Sequence, residues 1–157
     1  MINISFGDIL TPDGKRFFDE LSKITDKDVD VGIFAESVYP DGNTVASIAV
    51  QNEYGTSTIP ARPFMKQTLD NRSDVMERAA GELLDGVAGK KNSEDVLDAF
   101  GEKMAEAMQE EILYGSFAPN APSTVARKGH NLPLVDTEQM WDSVTYKVRG
   151  KSEGGKT

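Results

Sequence analysis

The C-terminal octapeptide Gly150-Lys-Ser-Glu-Gly-Gly-Lys156-Thr157 matches G-x-x-x-x-G-K-[ST], the spacing with which a glycine-rich turn and a lysine cradle nucleotide phosphates. That chemistry needs a helix N-terminus after the loop and an acidic magnesium ligand further on. With Thr157 as the last residue neither is expected, and the match reads as coincidence in a Gly/Lys-rich tail. Asp26, Asp28 and Asp30 open like a calcium loop, but Val31 stands where the turn glycine belongs and Ser37 where the bidentate glutamate belongs. Their alternation with Val29 and Val31 predicts a strand with its acids toward water. His130, the one histidine, lies in Arg127-Lys128-Gly129-His130-Asn131, with Ser123 and Asp136 near it only in sequence. A triad needs spatial neighbours, so a loop histidine beside two cations reads as a solvated contact residue. One histidine and no cysteine would leave zinc only carboxylates. Glu106, Glu110 and Glu111 read as an acidic helix face without the apolar pocket that tunes an acid–base pair. No catalytic, metal or cofactor-binding residue is assigned. The expectation is a protein that is not an enzyme and takes no cofactor.

The chain has 157 residues, which predicts one domain able to bury a core without disulfides or a structural metal. It carries 17 basic and 26 acidic residues, a net charge of −9, which argues against a dedicated nucleic-acid binder. The acidity is uneven: residues 1–119 hold 11 basic and 22 acidic residues, residues 120–157 hold 6 and 4. Scattered charge of this kind ordinarily faces water and keeps a protein dispersed. The sharper alternative is complementary surfaces on neighbours in an assembly. No run of 18 apolar residues occurs, so no transmembrane helix is expected, and polar residues within Met1–Leu10 speak against a secretory signal.

These residues must be positioned by a small set of elements. Met1–Phe6 alternates like a short strand or an ordered arm. Thr11-Pro12 starts a helix with Phe17, Leu21 and Ile24 on one face, Thr11 capping and Pro12 at the first helical position. Asp28–Ala35 reads as a strand and Tyr39-Pro40-Asp41-Gly42-Asn43 as a turn. Thr44 caps a short helix over 45–52, which Gly55 stops. A long helix is predicted over 63–88 from the stripe Val75, Met76, Ala79, Ala80, Leu83 and Val87. A second, capped by Ser93 and ended by Gly115, carries Val96, Phe100, Met104, Met108 and Ile112. The short Gly89–Asn92 link makes them an antiparallel hairpin. One turn of helix is expected over 123–127, a short helix capped by Asp136 or Thr137, and a last strand over 144–149. The fold class is therefore α+β: a small antiparallel sheet of Val29–Phe34 and Val144–Arg149 packed against a long helical hairpin, with short extra helices. The domain covers 1–149, and 150–157 is a flexible tail.

Two peptides are not explained by helix or strand periodicity. The first, Gln51–Phe64, holds Asn52-Glu53-Tyr54-Gly55-Thr56 and, three residues on, Ile59-Pro60-Ala61-Arg62-Pro63-Phe64. Arg62 between two prolines sits on a stiff backbone, which favours a specific ion pair. The second contains Pro133-Leu134-Val135-Asp136-Thr137 and Ser143-Val144-Thr145-Tyr146. In this order and separated by a helical hairpin, they resemble a family of tailed-phage virion morphogenesis proteins, variously head–tail joining, neck or tail-completion proteins. Val31-Gly32-Ile33-Phe34, Thr44-Val45-Ala46, Ser123-Thr124 and Arg127-Lys128-Gly129 fit the same pattern. Glu138 departs from it, standing where the family usually has glycine, so the local cap there is left open. The resemblance spans about Val31 to Tyr146.

The resemblance implies a structural virion protein at the head–tail junction, assembled in the host cytoplasm. It implies a ring-like homo-oligomer, with a hexamer as the expected count. Its expected neighbours are a head connector or stopper on one side and tail tube or terminator proteins on the other. A tail terminator or minor tail subunit is the alternative within the same class, and a nucleotide-binding enzyme using the GxxxxGKT match is the disfavoured one of another class. An acidic ring lumen would let DNA pass without adhering, an expectation that acids confined to the outer rim of the ring would remove. Two readings of the motif residues stand: conformation-setting or interface positions, or internal packing that seals a core.

Overall fold

In a computed structural model, residues 11–150 are described. Met1–Phe6 and the seven residues beyond Gly150 lie outside them, and with them the expected first strand and most of the nucleotide-loop match. The element order is α1 (Pro12–Thr25), β1 (Lys27–Ile33), α2 (Val45–Tyr54), α3 (Phe64–Asn71), α4 (Ser73–Ala88), α5 (Ser93–Tyr114), α6 (Pro122–Lys128), α7 (Gln139–Asp142) and β2 (Val144–Gly150). This is the expected α+β architecture. β1 and β2 pair antiparallel from Lys27 opposite Gly150 to Ile33 opposite Val144. Gly150 is thus the last residue of a strand, and the tail expected from 150 can begin only beyond it.

Local chemistry starts and stops most elements. The Thr11 hydroxyl accepts from Gly14 N at 3.1 Å with Pro12 following, and Thr44 accepts from Ser47 N at 3.1 Å. The turn before α2 closes by Tyr39 N to Asn43 O and Gly42 N to Tyr39 O, at 2.8 and 2.9 Å. For α5 the cap is Asn92, whose Oδ1 accepts from Asp95 N at 2.8 Å, one residue before the expected Ser93. Ser93 N is instead held by the Glu20 carboxylate of α1 at 2.7 Å.

The long helix expected over 63–88 is two helices. Arg72, at φ −123° and ψ 27°, leaves the helical region between α3 and α4. Contacts across the fold accompany the break. Arg72 reaches α5, its Nη1 2.6 Å from Glu110 and its Nε 3.2 Å from Glu111, and Asn71 Nδ2 donates to Glu111 at 3.0 Å. Glu111 is only 3 % exposed, so it is a buried acid with two partners rather than part of the solvated face expected for it.

The core sits where α5 crosses the sheet and meets α2, α3 and the segment before α7. Val45, Phe64, Met108, Ile112, Leu134 and Met140 are its principal members. Ala79, Met104 and Ala107 form a second cluster along the α4–α5 hairpin. Small residues let the layers close: a Cβ on Gly101 would fall 2.3 Å from the Tyr146 ring of β2. Among the described residues no helix is long and apolar enough to cross a membrane.

Candidate functional site

The first motif peptide is built around a turn that only glycine makes without strain. At Gly55 φ is 74° and ψ 173°, a region essentially restricted to glycine. A Cβ there would also approach Ala61 N to 2.9 Å and Ile59 O to 3.0 Å. The chain therefore ends α2 and folds back on itself. Thr56 N donates to Ile59 O at 2.8 Å, and the Thr56 hydroxyl accepts from Thr58 N and Ile59 N. Arg62 N closes the loop on Asn52 O at 2.6 Å. Pro63 then leads into α3, whose first turn has no local side-chain cap. Glu53 supplies one from α2: its carboxylate accepts from Met65 N at 2.9 Å and Lys66 N at 3.1 Å. A negative group at exposed helix N–H donors is favourable both as a hydrogen bond and against the helix dipole. Glu53 is 8 % exposed, and Phe64 beside it is fully buried.

Arg62 is the hub. It is 6 % exposed, yet its partners among the described residues are neutral oxygens rather than the expected carboxylate. Nε donates to Ala118 O at 2.8 Å and Nη1 to Asn52 Oδ1 at 3.2 Å. Nη2 donates to Pro119 O at 3.1 Å and Asn120 Oδ1 at 3.3 Å. Burial pushes its guanidinium pKa below the ordinary arginine value. The ion pair expected from its stiff backbone is not made because the segment after α5 brings carbonyls, not acids, to the fork.

Asn120 carries the connection onward. Its N accepts no proton but donates to Asn131 Oδ1 at 3.0 Å, and its Nδ2 donates to Leu132 O at 3.2 Å, just before the second motif peptide. Lys128, at the end of α6, donates from Nζ to Val135 O at 2.7 Å and Pro133 O at 3.5 Å. Its pKa is also lowered, first by burial, although the Asp136 charge opposes the shift. Arg127 Nη2 holds Asp136 at 2.9 Å. Asp136 is therefore an ion-pair partner and does not cap α7. The residue before α7 is Glu138 at φ 61°, with no side-chain cap bond. The position where the family pattern has glycine adopts the left-handed backbone that glycine favours, and glutamate occupies it at a cost.

The two peptides, about 70 positions apart, line one open groove of ≈ 510 Å³. Asn52, Ile59, Pro60 and Arg62 come from the first; Pro133, Leu134, Asp136 and Thr137 come from the second. The other candidates divide by role. Glu53 and Phe64 are internal, Gly55, Thr56 and Pro63 shape the backbone, and Ala61 and Tyr54 face outward, Tyr54 at 79 % exposure. Glu53 and Phe64 thus pack internally, while the exposed members remain open to contact with a partner. Asn120 is not among the sequence candidates, and Lys128 enters only as part of a matching tripeptide. Lys128 had a signal in Arg127-Lys128-Gly129; Asn120 had none, since its role arises only from tertiary neighbours. His130 is not placed as a triad member, because its Nδ1 accepts from Leu132 N at 3.2 Å and Asp136 is engaged by Arg127. Asp30, from the aspartate series, pairs with Arg149 across the sheet. Comparison with family models, with curated proteins and with solved structures returns no match for this chain.

Proposed function

We propose that the chain is a structural protein of a tailed-phage virion that joins head to tail by forming a homo-oligomeric ring at the junction. The observation that carries the reading is the convergence of the two peptides on which the family resemblance rests. Arg62 and Asn120 tie them together, and eight of their residues build one surface groove. A local sequence coincidence would have no reason to bring both halves of the pattern to one place. The shape of the site also supports contact rather than chemistry. Its cationic side chains hold backbone carbonyls, amide oxygens and Asp136, and among the described residues no nucleophile–base–acid series is assembled around His130. Such a groove suits recognition of a protein segment.

The test is electron microscopy of particles assembled without this protein. Separate filled heads and finished tails are the expected result. Overlong or malformed tails would favour the terminator or minor tail subunit in its place, and intact infectious particles would refute any virion role.

A further inference from the structure

The motif groove holds more positive charge than its own carboxylates neutralise. Five ionic side chains line it: Asp41, Arg62, Arg127, Lys128 and Asp136. Asp41 is engaged within its turn by Asn43 N and Nδ2, at 3.0 and 2.9 Å, and Asp136 is held by Arg127. Arg62 is left with neutral oxygens, and Lys128 hydrogen-bonds carbonyls while sharing the Asp136 charge with Arg127, although buried or half-buried cations are ordinarily paired. Ile48, Ile59, Leu134 and Met140 surround them. The groove between α1, α5 and β2 has the opposite balance, Lys23 and Lys27 against Glu20, Glu94 and Asp98. The motif groove is thus a cationic, partly apolar seat on an acidic protein, and its complement is a carboxylate-bearing surface with an apolar or aromatic end.

The chain itself presents such a surface. Along α5, Asp98, Glu102, Glu106 and Glu110 recur every fourth residue, all exposed, and the row ends at Tyr114, 79 % exposed. Residues spaced by four form one ridge on a helix. Glu110 is held by Arg72, whereas Glu102 and Glu106 have no ion pair among the described residues.

We propose that the motif groove receives the α5 acidic ridge of a second copy of this chain, whose carboxylates balance the positive charge that the groove's own two carboxylates leave over. Groove and ridge are different surfaces, so the contact is heterologous, the type that closes into a ring or runs on as a filament. The inference rests on the self-assembly reading above but names its contact, and the two can fail separately. DNA phosphate is the competing anion; the −11 balance of residues 1–119 disfavours it by repulsion.

Light scattering after size exclusion, over a range of protein and salt concentrations, reads the assembly. Lys128→Glu in the groove and Glu106→Lys on the ridge are each expected to weaken it by at least about tenfold in Kd, as close interfacial charge pairs do. Combining the two reversals in one chain should restore it. Because Lys128 also makes internal bonds, Glu106→Lys is the decisive single variant: its side chain is exposed and unpaired. Thr137 replaced by the photo-crosslinker p-benzoylphenylalanine should link to residues 98–114 of a second copy. Glu106→Lys that assembles like the parent overturns the proposal, as do crosslinks confined to the same chain or to another segment of the second copy. So does a labelled DNA duplex that binds in the groove and is released by Lys128→Glu while assembly is unchanged. A parent protein that stays monomeric at every concentration overturns the self-assembly reading itself.

Discussion

Arg62→Met keeps the length and apolar stem of the side chain and removes its charged fork. Four hydrogen bonds go with it, to Ala118 O, Asn52 Oδ1, Pro119 O and Asn120 Oδ1. None of these acceptors is in a fully buried residue, so water replaces part of what is lost. Bonds from a charged donor contribute about 1.5–3 kcal/mol each, a gross loss of roughly 6–12 kcal/mol before water re-solvates the acceptors. Removing a buried charge also removes its desolvation cost, which places the expected net loss at about 2–3 kcal/mol. Arg62→Lys retains the charge but matches the fork with one compact ammonium, so about 1–2 kcal/mol should go. Urea melts followed by Trp141 fluorescence measure both, with an unchanged slope marking a true stability change. At about 2–4 °C per kcal/mol for a chain of this size, the Met variant should also melt roughly 4–12 °C lower. A Met variant within about 0.5 kcal/mol of the parent would refute the hub role, because that is the spread of surface substitutions away from any special feature. Equality of Lys and Arg would refute the part assigned to fork geometry.

Glu138→Gly should stabilise the protein by about 0.5–1 kcal/mol, since it relieves a non-glycine residue at φ 61°. Glu138→Ala, which keeps the backbone strain, should give no gain; equal urea midpoints for the Gly variant and the parent would count against the strain. The Glu20 carboxyl is held below the ordinary glutamate range, chiefly by its hydrogen bond from Lys23 and then by that from Ser93 N. A depressed folded-state pKa contributes stability that is present above the unfolded value, about 4.3, and lost as pH falls through the lower folded one. The stability gap between the parent and Glu20→Gln should therefore close as pH drops below that range, and a gap that stays constant from neutral to acid pH would refute the stabilising role of the Glu20 carboxylate.

What could be read along the chain was whatever acts within a few residues. Thr11 and Thr44 cap as expected because a hydroxyl at that position meets the N–H three residues on. The strands 27–33 and 144–150 follow from alternation, and the hairpin follows from two apolar stripes and a four-residue link. The break at Arg72 was missed because the stripe that predicted the helix begins only at Val75 and no proline follows Pro63 within residues 63–88; at the break Arg72 bonds two acids on α5, 38 and 39 positions away. Glu138 sits between the two cases. Its departure from the family pattern marked the position, but only the backbone angle showed that the left-handed turn survives without glycine.

The candidate site divides along the same line. Local sequence singled out the two peptides, placed Gly55 at the end of α2, and showed that residues 1–119 are strongly acidic. Only packing reveals that Glu53 caps α3, that Arg62 is bonded to carbonyls 56 and 57 positions on, and that Asn120 joins the two peptides. The physical reason is range. Propensity, capping and periodicity are set by neighbours within about one helical turn and leave a mark in the local sequence. A buried charge takes whatever oxygens the packed chain brings to it, and a carbonyl carries no residue type by which it could be recognised beforehand.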